Sequence, residues 1–172
     1  MIVYMTVLDE IPIMENLIIT RAEIGDTEKI LNLQKMAYRS EAEIYNDYTL
    51  PPLTQNLDEI KADYDKQVFL KAIVNMKIVG SVRAFMEERT CYIGRLIVHP
   101  DFQNRGIGRA LLRRAEERGG EKGLHKVFMH TSVKNLGMMN FASRNGFTFA
   151  KYLTEFWGQG TGDAFLLVRE LL

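Results

Sequence analysis

Positions 103–108, Gln-Asn-Arg-Gly-Ile-Gly, carry the spacing in this sequence that most directly specifies chemistry. They follow an apolar run, Leu96, Ile97 and Val98, that His99 and Pro100 bring to an end, and they lead into a helical pattern. A helix starting there leaves its first backbone N–H groups unpaired, and glycine at 106 and 108 removes the Cβ atoms that would keep an incoming group off the main chain. The positive end of the helix dipole adds to those donors, so a diphosphate fits without a lysine. Two other glycine-rich phosphate loops do not match. A dinucleotide-binding turn wants its glycines directly after the strand, whereas residues 99–105 intervene and Leu111 stands where the third glycine belongs. A P-loop would end in Gly-Lys-Ser or Gly-Lys-Thr, which this sequence lacks.

Other residues that could do chemistry read more plainly. Cys91, the single cysteine, opens an apolar strand and is expected as a small core hydrophobe rather than a nucleophile. One cysteine excludes an internal disulfide framework and points to a reducing cytoplasm. His99, His125 and His130 show no ligand spacing with a thiol or carboxylate, so they are expected to face solvent or bond locally, and no metal is expected. Arg109, Arg113, Arg114 and Arg118 make a basic stripe, but Glu116, Glu117 and Glu121 dilute it into a solvated helix face. The 22 basic and 22 acidic residues balance, so the total charge points to no nucleic acid and no membrane.

These residues need elements to position them. With 172 residues, 47% hydrophobic and 26% charged, the chain suits one domain with its own core, and no repeat or low-complexity linker divides it. The opening run MIVYMTVL is interrupted by Asp9 and Glu10, which makes it too short for a membrane span and unlike a secretory signal. Residues 1–16 are expected as a leading segment and 17–172 as the domain. Periodicity predicts strands at 17–23, 68–74, 77–86, 91–98, 127–131, 148–156 and 164–171, with 68–86 a hairpin turning at Asn75. Helices are expected from a cap at Asp26, over 57–64, over 106–118 and over 136–144, the last ended by Gly146. Residues 39–55 are expected to form a loop, because no helix interior tolerates Pro51-Pro52. The fold class is α/β.

Gln103, Gly106 and Gly108 after LIVHP resemble the acetyl-CoA motif of the GCN5-related N-acetyltransferase (GNAT) family. A second segment, NLGMMNFASRNGF at 135–147, resembles that family's coenzyme-contacting helix with its closing Gly-Phe pair. Two segments in the right order are far more specific than a lone pair of glycines. The resemblance covers roughly residues 17–171 and implies a mixed, mostly antiparallel sheet flanked by helices and splayed between the coenzyme-binding strand and the next. It implies that Leu96, Ile97 and Val98 pair with the pantetheine like an added strand. Gln103, Asn104, Arg105, Gly106, Ile107, Gly108 and Arg109 would hold the pyrophosphate, and Asn135 and Asn140 would also face the coenzyme.

The implied reaction is acetyl transfer from acetyl-CoA, the cosubstrate, to a primary amine of a small molecule or peptide, by direct attack in a ternary complex. A noncatalytic acyl-CoA sensor on the same fold is the alternative, and a homodimer is admissible. An alkyl amine near pKa ~10 costs about 4 kcal/mol to deprotonate at pH 7, so a base or a desolvating pocket is required. Glu87 and Glu88, in the turn before the coenzyme strand, are candidate bases, with an exposed turn as their other reading. Many relatives carry a tyrosine four residues before the Gly-Phe pair as general acid. Here that position is Ala142, which leaves Ser143 or Asn140 to place a water and Ala142→Tyr expected to be tolerated or activating. Glu41, Glu43 and Tyr45, with Asp47 and Tyr48, would attract a cationic acceptor, or else form a solvated acidic loop. Trp157 with Gly158, Gly160 and Gly162 is expected as a loop that either joins strands or walls the acceptor site.

Overall fold

A computed structural model of the chain describes residues 16–156 and 162–171. The leading segment before Asn16, and Trp157, Gly158 and Gly160, lie outside the described residues. Strand β1 (Ile18–Arg21) leads through a 3₁₀ turn to helices α1 (Thr27–Ala37), α2 (Arg39–Tyr45), α3 (Pro51–Thr54) and α4 (Leu57–Lys66). Strands β2 (Val68–Val74), β3 (Lys77–Glu87) and β4 (Thr90–Val98) follow, then α5 (Ile107–Glu121) and β5 (Lys126–Ser132). Helix α6 (Leu136–Arg144) and strands β6 (Thr148–Leu153) and β7 (Ala164–Glu170) complete it. The seven strands form one sheet in the order β1-β2-β3-β4-β5-β7-β6.

Period-two alternation gives the sheet two apolar faces. Leu70, Ala72, Val82 and Ala84 point to one and pack with Leu111, Leu112 and Ala115 of α5. Phe69, between Leu70 and Val68, belongs instead with Ile30, Leu31 and Ile60 of α1 and α4. The β2–β3 hairpin turns at Asn75 and Met76, whose φ values of 47° and 62° are the pair a type I′ turn requires. Gly80 sets how closely α5 approaches: a Cβ there would lie 3.0 Å from Leu111 Cδ1 and 3.2 Å from Ile107 Cγ2.

Residues 39–55 differ from the expected loop by containing α2 and α3. Pro51 and Pro52 are compatible with helix because they occupy its first turn, where N–H groups have no intrahelical partner anyway. Helix α2 ends at Asn46, which turns into the left-handed region at φ 50°. Asp26, expected to cap α1, instead accepts from Glu23 N–H at 2.8 Å and pairs with Lys71 at 2.5 Å, and α1 begins without a side-chain cap.

Every pairing is antiparallel except β4–β5, which is parallel and runs only from Thr90↔Lys126 to Ile93↔Met129. Beyond Ile93, β4 stays bonded to β3 and leaves β5, so the sheet is splayed where the sequence resemblance implied. A bulge accompanies the parting. Ser81 faces Ile97 and Arg83 faces Gly94, so Val82 opposes both Arg95 and Leu96, with Arg95 at φ 50°.

Candidate active site

The splay opens a cleft of about 870 Å³ between the freed edge of β4, the start of α5, and α6. Strand residues Leu96–Val98 keep β3 on one side, through Ser81↔Ile97 and Gly80↔Val98, and offer their other edge to the cleft. Between strand and helix the chain makes two left-handed steps, Asn104 at φ 59° and Gly106 at φ 80°. Gln103 Nε2 donates to Val98 O at 3.3 Å and ties that turn to the strand end. Gly106 precedes the helix without a side chain to cap it, so the first N–H groups of α5 stay available to an anion. A Cβ on Gly108 would stand 3.4 Å from Phe141 Cε2 and 3.8 Å from Val98 Cγ2, between the cleft walls. Asn135 caps α6 by accepting from Met138 N–H at 2.9 Å. Every position that the resemblance implied for the coenzyme lines this cleft except Arg105, which is exposed with its guanidinium 5.3 Å from the Phe102 ring centroid.

A second cavity of about 530 Å³ adjoins it, sharing Tyr38, Glu41, Leu96, Asn135 and Met138. Helix α2 contributes Glu41 and Tyr45, α3 contributes Pro51 and Pro52, and β5 contributes His130 and Thr131. A buried network fixes the α3 wall. Arg83, 3% exposed, donates to Asp63 at 2.8 Å, Gln34 at 2.5 Å and Gln55 at 3.1 Å, with its guanidinium 4.6 Å from the Phe69 centroid. Gln34 Nε2 in turn donates to Pro52 O at 2.9 Å.

Burial shifts the titrations at this junction. It raises the Glu41 carboxyl above its ordinary value, against the opposing pull of Arg95 and a hydrogen bond from Asn135. It raises Tyr38 and Tyr45 as well, so both phenols stay protonated at neutral pH. Tyr45 Oη is screened from solvent without a partner at normal hydrogen-bond geometry, although Ser132 and Asn135 are near enough to act on its titration. Burial lowers His130, leaving a neutral imidazole stacked 4.3 Å from Phe156.

The structure does not bring the remaining candidates here. Glu87 and Glu88 are exposed at the β3–β4 turn, at the opposite end of β4 from Val98, and line neither cavity. Ser143 and Glu43 are exposed and also line neither. Ala142 is 0% exposed within the core beside α5 and β7, so a tyrosine there has to displace packed neighbours. Cys91 is 0% exposed with burial pushing its thiol up to about 11, as suits a core residue. Sequence reasoning missed Tyr38, Arg95 and His130. Nothing in the local pattern distinguished them: Tyr38 reaches the cavity from the junction of α1 and α2, Arg95 through the bulge and His130 through the splay.

Residues 28–147, more than half of the chain, match the model of the acetyltransferase (GNAT) family. An acetyltransferase of Pectobacterium atrosepticum is 34% identical over 103 residues, covering 56% of this chain and 73% of that protein. Bacillus subtilis YqkA is 29% identical over 123 residues, 72% of this chain, and the chain spans only 35% of YqkA. Among solved structures, the PaiA N-acetyltransferase of Thermoplasma acidophilum in complex with coenzyme A superposes with a TM-score of 0.70 at 19% identity, covering 91% of this chain and 100% of that one. The chain belongs to the GNAT family and is an acetyl-CoA-dependent N-acetyltransferase. Among the described residues, no helix is long and apolar enough to cross a membrane.

Proposed function

We propose that the enzyme moves the acetyl group of acetyl-CoA to a primary amine by direct attack, with both substrates bound at once. The observation that carries this reading is the meeting of the two cavities along Tyr38, Glu41 and Leu96. In this reading the free edge of Leu96–Val98 takes the pantetheine, and the turn from Gln103 to Gly108 takes the diphosphate with Arg109 beside it. Asn135 and Asn140 complete the far wall. The amine enters from the second cavity.

Glu41 is the group we assign to the amine. Its carboxylate attracts the ammonium, and burial makes it a stronger base than an exposed glutamate, which lowers part of the cost of deprotonation. The freed nitrogen attacks the thioester carbon. As the C–N bond forms, charge gathers on the carbonyl oxygen, where a main-chain N–H of Leu96–Val98 supplies a donor. The C–S bond then breaks, and the thiolate takes a proton from the Tyr38 hydroxyl or a water. A thiol near pKa ~8.5 leaves without demanding a strong acid, so Ala142 at the usual tyrosine position is no obstacle.

The test is release of coenzyme A over a panel of polyamines, amino acids, aminoglycosides and peptides. Acetyl-CoA-dependent turnover with at least one amine is expected. Tight acetyl-CoA binding without transfer to any of them would instead indicate an acyl-CoA sensor.

A further inference from the structure

We propose that Arg95 anchors a carboxylate of the acceptor, so that the amines acetylated are free amino acids or close analogues with an acid group a few bonds from the nitrogen. This rests on reading the second cavity as the acceptor site.

Arg95 occupies the β4 bulge, where the extra residue and its positive φ re-aim the side chain, and it lines the second cavity. Its Nε is screened from solvent and has no hydrogen-bond partner. No carboxylate stands within ion-pair distance of it among the described residues. What balances its charge is Tyr38, through its ring 5.8 Å from the guanidinium carbon and through its hydroxyl, and Glu41 at longer range. Arg83, on the neighbouring strand, has an unpaired buried Nε as well, but its two terminal nitrogens are filled by Asp63, Gln34 and Gln55. Leaving a half-buried guanidinium without such partners is costly, and its planar fork suits a carboxylate.

The other charged side chains of the cavity are Asp47, Asp163 and Lys134. Asp47 accepts from the Thr49 N–H and hydroxyl at 2.8 and 2.6 Å. Asp163 accepts from the Tyr152 hydroxyl and from Glu155 N–H. Lys134 is exposed. Glu41, which takes a hydrogen bond from Asn135, and Arg95 both face this space with opposite charges, a pattern that a zwitterion complements: ammonium to Glu41, carboxylate to Arg95. A cavity of about 530 Å³ is the size of a small-molecule site.

The experiment compares kcat/KM for L-amino acids, each matched with its carboxamide and its decarboxylated amine, in wild type, Arg95→Met and Arg95→Lys. Wild type is expected to favour the acid over the amide by about 10- to 100-fold, the worth of one charge-assisted contact. Arg95→Met should erase that preference by raising the acceptor KM, with acetyl-CoA affinity by calorimetry unchanged, and Arg95→Lys should restore part of it. Amides or plain amines used as well as the acids by the wild type would overturn the assignment, with no variant needed. So would an Arg95→Met enzyme that slows all three acceptors equally, which would place Arg95 at the thioester or in the fold. Absence of transfer to every amine would be a separate failure, that of the acetyltransfer reading beneath it.

Discussion

The two cavities share Tyr38, Glu41, Leu96, Asn135 and Met138 yet are built in opposite ways. The first is largely main chain: an open strand edge, a turn with two left-handed residues, and an uncapped helix start, all within residues 96–109. The second is made of side chains from α2, α3, β4 and β5, held in place by a buried network that no single segment contains. A cleft of backbone recognises what every member of a family shares, whereas a cavity of side chains can be changed one residue at a time. Under the proposed function, the contrast predicts that cofactor and acceptor recognition can be perturbed separately.

Substitutions should therefore divide into two classes. The largest effect is expected from Glu41→Gln, which keeps shape and removes the base: kcat should fall by roughly 10²–10⁴-fold, with acetyl-CoA affinity unchanged. In the wild type the acidic limb of the rate profile should lie above the ordinary carboxylate range, because burial raises Glu41 and only its ionised form accepts a proton. Activity should accordingly rise with pH through that pKa, and the limb should vanish in Glu41→Gln. Next, Gly108→Val fills the space between Phe141 and Val98. It should weaken acetyl-CoA binding by calorimetry about 100-fold or more, the loss of at least two charge-assisted contacts, with circular dichroism preserved.

A smaller effect, on the acceptor side alone, is expected from Arg83→Met. Removing this guanidinium leaves Gln34 Oε1 without its donor, takes one donor each from Gln55 and Asp63, and loosens the Pro52 wall. Urea unfolding should show a loss of about 2–3 kcal/mol, below the value for a wholly buried pair because Asp63 is 34% exposed. The acceptor KM should rise while acetyl-CoA affinity holds. At the bottom of the scale, Glu43→Gln should leave stability within about 0.5 kcal/mol and every acceptor KM unaltered, since Glu43 is exposed outside both cavities.

What could be read from the sequence follows the same division. The strand, the turn and α5 are contiguous, and glycine at 106 and 108 reports a backbone requirement directly, so that cleft was legible. The acceptor cavity was not. Pro51-Pro52 masked α3 because a proline pair argues against a helix interior but not against its first turn, and α2 is only one and a half to two turns of sequence with a single buried residue, Ala42. Arg95 became visible only through a register shift between β3 and β4, and His130 only through the parting of β4 from β5. Glu87 and Glu88 looked close to the coenzyme strand in sequence, but they sit at its other end, the length of β4 away from Val98.

Initial-rate kinetics with acetyl-CoA and an active amine varied together test the central claim most directly. Two adjoining cavities filled at once, and a cysteine that is buried with its pKa pushed up to about 11, predict double-reciprocal lines that intersect. Parallel lines, with an acetylated enzyme trapped in the absence of amine, would contradict it.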